Sequence, residues 1–116
     1  ASAWHYDEMC HLSIYASTKA AVERFTRDLR MEVQVDGIGV TCVRPGGAIT
    51  NFADGWDGDA LAAGFNAWRD MGTYMDLGME VDHVGESVTY ALAQPPGVAV
   101  DLLEIRPNMR CEKPEF

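Results

Sequence analysis

Tyr15 and Lys19 lie four residues apart in the run Tyr15-Ala16-Ser17-Thr18-Lys19. On a helix that spacing puts the phenol and the ammonium on one face, one turn apart. A free tyrosine titrates near pH ~10, and an adjacent cation stabilises the phenolate and lowers that value. A phenol in that setting exchanges a proton at a more useful pH, which is what a general acid/base requires. The same spacing also occurs on ordinary surface helices, so its meaning depends on the elements around it.

From Tyr15 to about Val35 the chain has no Pro or Gly and is dominated by Ala, Glu, Arg, Leu and Met, which predicts a helix. Val22, Phe25, Leu29 and Val33 recur at steps of three and four and form one apolar stripe. Ser13 is the candidate N-cap and Gly37 the candidate stop. Ile38 to Val43 is a short β-branched run ending at Arg44-Pro45-Gly46-Gly47, which predicts a strand buried in a parallel sheet. Residues 51–80, rich in Gly and Asp, read as a partly helical segment with a helical patch around Ala60 to Met71. Asp82 to Ala93 is predicted as a second helix closed by Pro95-Pro96-Gly97, and Val98 to Ile105 as a last strand, followed by a polar tail. Helix, turn and buried strand in this order imply an α/β fold.

Within this frame, Tyr-Ala-Ser-Thr-Lys-Ala-Ala-Val-Glu-Arg-Phe-Thr resembles the active-site helix of the short-chain dehydrogenases/reductases, whose signature is YxxxK. Val43-Arg44-Pro45-Gly46-Gly47-Ala48-Ile49-Thr50 looks like the PGxxxT loop of that family. Residues 91–107 are similar to the closing helix and strand of its NADP-preferring, reductase-like members. The resemblance covers nearly the whole chain, and its first two motifs are the specific ones.

It implies the C-terminal part of a doubly wound, Rossmann-like parallel sheet, with residues 1–116 as the catalytic portion and 51–80 as a substrate lid. The implied reaction is interconversion of a carbonyl and an alcohol by hydride transfer with NADP or NAD, with a lean towards NADP. Tyr15 would be the general acid/base, and Lys19 its cationic neighbour and a donor to the nicotinamide ribose. Ser2, thirteen residues ahead of Tyr15, would polarise the carbonyl. Ser13 is the competing serine, but it lies close to Tyr15 and is accounted for as a cap. Pro45, Gly46, Ala48 and Thr50 would meet the nicotinamide, the last two through an amide and a hydroxyl. The resemblance also implies a homodimer or homotetramer, with the Tyr15 helix packing against a neighbour.

The family's N-terminal half carries a glycine-rich pyrophosphate turn, a residue that selects NAD or NADP, an Asn-Ala-Gly stretch and a catalytic asparagine. None of these occurs in the 116 residues, so the nucleotide-binding part is expected to be absent. The alternative is therefore a truncated, non-catalytic remnant that at most packs against a partner. A small binding module unrelated to the dehydrogenases would need all the motif matches to be coincidental.

Composition narrows the classes further. A net charge of -9 with scattered Lys and Arg gives no support for nucleic-acid binding. No run approaches the ~18 apolar residues of a membrane helix. Cys10, Cys42 and Cys111 form an odd, widely spaced set that fits a reduced, cytoplasmic setting. His5, Cys10 and His11 lack a fourth ligand at metal-binding spacing, so no metal is expected. Trp56, Phe65, Trp68 and Tyr74 are candidates for lining a substrate pocket or for packing the lid.

Overall fold

A computed structural model describes residues 1–2, 10–71 and 78–108. Helix α1 spans Ser13–Val33 and runs into a 3-10 turn at Gln34–Asp36. Strand β1 is Cys42–Pro45, helix α2 Gly58–Met71, helix α3 Val81–Leu92 and strand β2 Leu102–Ile105. The strands pair in parallel, Cys42 with Leu102 through Pro45 with Ile105. A parallel pair needs a long crossover, and the connection carries both α2 and α3. The architecture is α/β, as the order of elements predicts. Tyr74, Cys111 and His5 lie outside the described residues.

Both ends of α1 follow local chemistry. Gly37 closes it in the left-handed region at φ 71°, with its N–H donating to the Gln34 carbonyl at 3.0 Å. A Cβ at Gly37 would meet nothing within 4 Å, so only the backbone resists substitution. Gly37→Ala is therefore expected to cost about 1–2 kcal/mol, read as a lowered thermal unfolding midpoint. At the other end Ser13 is not the cap. Leu12 takes that position with no side-chain capping bond, and Ser13 is the first helical residue. His11, in the left-handed region at φ 68°, turns the chain so that Leu12 is buried.

The face of α1 that meets the strands coincides with its apolar stripe only at the C-terminal end, where Leu29 and Val33 are half-buried. Val22 and Phe25 are exposed, and α1 contains no buried residue. The contact runs instead along the half-buried ridge of Tyr15, Lys19, Glu23, Thr26 and Arg30. Arg44 on β1 donates to Glu23 at 3.0 Å, and both side chains are only 13% exposed. Arg30 donates to the carbonyls of Val40 at 3.1 Å and Asp101 at 2.7 Å. Both strands are shorter than their apolar runs. Residues 38–41 and 98–101 run side by side, with Gly39 close against Ala99, yet the ladder begins only at Cys42 and Leu102. Apart from buried Cys42, β1 is half-buried rather than a fully covered central strand.

Glu104 on β2 links the strands to each other through side chains. It accepts from Arg44 across the ladder and from Arg106 at 2.8 Å. Burial alone would raise its carboxyl, but the donors from Arg106 and Arg44 outweigh burial and hold it below the usual carboxylate range. Folding thus lowers this pKa, so the stabilisation is complete above the unfolded value of about 4.3 and is lost as pH falls through the lower folded value. The urea midpoint is expected to fall on acidification in that window, and Glu104→Gln to flatten that part of the pH dependence.

Candidate active site

Trp68 on α2 holds the approach to α1. It is 3% exposed, its indole N–H donates to the Cys10 carbonyl, and its ring meets Phe65 edge-on at 5.2 Å. Cys10 leads through the buried Leu12 to Tyr15, so this clamp helps to set where the phenol stands. Tyr15 is half-buried and meets Phe52 edge-on at a centroid distance of 5.4 Å. The Lys19 ammonium lies 5.5 Å from the centroid of the Tyr15 ring, within cation–π range and on the face that the spacing predicts.

The turn after β1 is pinned from two sides. The Gly46 N–H donates to the Ile105 carbonyl at 2.7 Å, extending the strand pairing past Pro45. The Gly47 carbonyl accepts from Met79 and the Ile49 N–H donates to Met79, both at 2.9 Å. Bonds from the residues on either side leave the N–H and C=O of Ala48 aimed away from Met79. Gly78 is needed at this crossing, because a Cβ there would stand 2.7 Å from Ile49 Cγ1 and 3.4 Å from the Ile49 backbone nitrogen. The Thr50 hydroxyl accepts from the Phe52 N–H at 3.2 Å, which orients the ring that meets Tyr15. The Ala1 nitrogen donates to the Val43 carbonyl at 3.1 Å, placing the buried Ser2 beside β1.

These elements line an open cavity of about 500 Å³. Ser2, Tyr15, Pro45, Gly46, Ala48 and Thr50 line it, which are six of the seven residues singled out from sequence. Lys19 is not on its wall, and its ammonium lies against the Tyr15 ring, which is. The opposite wall comes from Val81, Val84, Gly85 and Val88 of α3, with Phe52 between. Sequence reasoning missed this wall. Its signal was an apolar repeat at steps of three and four on α3, which is also what plain packing produces.

A second cavity, of about 440 Å³, also has Tyr15 on its wall. Trp56 and Trp68 line it, whereas Phe65 packs on Trp68 instead. Among the described residues no group of three or more His, Cys, Asp or Glu side chains gathers in a way that would hold a metal ion. Also among the described residues, no helix is long and apolar enough to cross a membrane.

Comparison with known proteins gives the family. Residues 1–60, which contain Ser2, the Tyr15 helix and the turn to Thr50, match the model of the short chain dehydrogenase family. The chain is 34% identical over 95 residues to sulfoacetaldehyde reductase 2 of Chromohalobacter salexigens, covering 82% of this chain and 36% of that protein. It is 32% identical to an uncharacterised oxidoreductase of Staphylococcus epidermidis and 33% identical to one of Staphylococcus aureus, again over 82% of this chain and 35% of each relative. The chain thus spans just over a third of the length of these relatives. With its family model matching across the Tyr15 helix and the turn beside it, the chain belongs to the short-chain dehydrogenase family.

Proposed function

We propose that this chain supplies the catalytic face of an oxidoreductase that interconverts a carbonyl and an alcohol with a nicotinamide cofactor, acting in the cytoplasm. The observation that carries this reading is the convergence of Ser2, Tyr15 and the Pro45–Thr50 turn on one cavity, with Lys19 over the Tyr15 ring. The cavity fits a flat, amide-bearing ring. Its α3 wall is apolar, and the backbone N–H and C=O of Ala48 lie on the side away from Met79. Tyr15, Pro45, Gly46, Ala48 and Thr50 would hold the nicotinamide, and Lys19 its ribose. When bound, the cofactor supplies or accepts the hydride.

The chain's own groups handle the proton and the charge. In reduction, the Ser2 hydroxyl donates to the carbonyl oxygen and steadies the negative charge that develops there. The Tyr15 phenol gives its proton to that oxygen, and solvent restores it. The Lys19 ammonium stabilises the phenolate left between those steps. In oxidation the same groups run in reverse.

The 51–80 segment serves in this reading as the substrate lid, supported by Phe52, Trp56 and Trp68 standing on the two cavities beside Tyr15. Assembly as a homodimer or homotetramer is supported by Val22, Phe25 and Met31, exposed along α1. The lean towards NADP rests on the resemblance of residues 91–107. Carbonyl-dependent oxidation of NADPH and NADH, measured on the protein and its Tyr15→Phe variant, tests the reading. Oxidation that Tyr15→Phe leaves intact would rule it out.

A further inference from the structure

The cavity on the lid side of Tyr15 differs in chemistry from the one that holds Ser2. Ile14, Leu61, Trp56 and Trp68 give it an apolar, largely aromatic wall, and its volume of about 440 Å³ suits a small ring compound. Besides Tyr15, the polar side chains at its edge are His11 and Asp57. The Asp57 carboxylate is already engaged, accepting the Ala60 N–H at 2.9 Å as the cap of α2. With Asp59 also in the first turn, the positive end of α2 is answered by acids of its own chain. An anion therefore gains little there and meets the Asp57 charge at close range. Residues 51–80 carry one basic residue, Arg69, against Asp54, Asp57, Asp59, Asp70, Asp76 and Glu80. The net charge of -9 adds a long-range field of the same sign.

We infer that the lid-side cavity selects an uncharged aromatic substrate, holding its ring against Trp56, Leu61 and Trp68 while the reacting carbon faces Tyr15. This rests on the oxidoreductase reading for the identity of the reacting group, but the charge selectivity can be measured without turnover. A cation is attracted by Asp57 and by the net charge, but Asp57 is exposed and screened by water, and that attraction does not repay moving a charged head from water to a hydrocarbon wall.

The test uses benzyl alcohol and its para-sulfonate and para-trimethylammonio derivatives as probes, following the Trp56 and Trp68 indole N–H signals by NMR titration of nitrogen-labelled protein. Benzyl alcohol is expected to shift both signals saturably, with the two charged probes weaker by about tenfold or more. Leu61→Arg places a cation on the wall and is expected to reverse the order in favour of the sulfonate. Leu61→Met, which keeps volume and polarity, is expected to retain the original order. Equal or tighter binding of either charged probe, or no shift with benzyl alcohol, would overturn the inference. Selective binding without any carbonyl-dependent NADPH or NADH oxidation would uphold the cavity's selectivity and reject the oxidoreductase reading alone.

Discussion

Tyr15→Phe is expected to lower carbonyl reduction about a thousandfold while leaving the fold intact. The expected size comes from the role, since a positioned general acid contributes typically ~10²- to 10⁴-fold. The substitution removes one oxygen and keeps the ring that meets Phe52 at 5.4 Å and lies 5.5 Å from the Lys19 ammonium. Tyr15 is half-buried and stands on the walls of two cavities, so losing the hydroxyl disturbs little packing. Steady-state oxidation of NADPH and NADH with a carbonyl panel checks the rate, and far-ultraviolet circular dichroism with a urea melt checks the fold. If the phenol is the acid, kcat falls and KM moves little, because the proton is needed in the transition state and scarcely at all for binding. A fall confined to KM would make Tyr15 a binding residue.

Trp68→Ala is expected to have the largest effect on stability, about 3–5 kcal/mol, and to lower activity along with it. Few described side chains are buried in this chain. Leu12, Cys42 and Trp68 are the buried apolar residues, and Trp68 is much the largest of them. Its loss removes the edge-to-face contact with Phe65 and the bond to the Cys10 carbonyl, and frees α2 from the approach to α1. Trp68→Phe separates these contributions. It keeps most of the ring volume and loses the indole N–H, so it is expected to cost about 1 kcal/mol for the bond plus a smaller packing term. Urea unfolding midpoints check both substitutions. Equal midpoints for Trp68→Ala and the unsubstituted protein would mean that the Tyr15 end of α1 is held by other contacts.

Most of what stood out in the sequence was local. The four-residue step from Tyr15 to Lys19 needs only a helix to become a face, and the Ala-rich, Gly-free run to Val33 makes that helix. Gly37 could be named as the stop because a left-handed residue is cheap only for glycine. The lid helix and α3 were legible within two or three residues at either end, from periodicity and from the Pro95-Pro96 break.

Other features depended on partners far along the chain. Which face of α1 meets the strands was decided by Arg44 and Arg30, whose donors reach Glu23, Val40 and Asp101. The apolar stripe was half right, with Leu29 and Val33 half-buried and Val22 and Phe25 left exposed. Where β1 begins was decided by its register with β2, sixty residues on, and an apolar run such as Ile38–Val43 carries no mark of that register. Ser2 entered the cavity through the bond from Ala1 to Val43 on β1, and the α3 wall through the crossover that lays α3 beside the Pro45–Thr50 turn. Spacing along one helix is set by a 3.6-residue period that every sequence shares. A cavity is set by which long-range pairs are satisfied together, so the sequence determined that Tyr15 and Lys19 share a helix face and only the tertiary structure decided what stands opposite them.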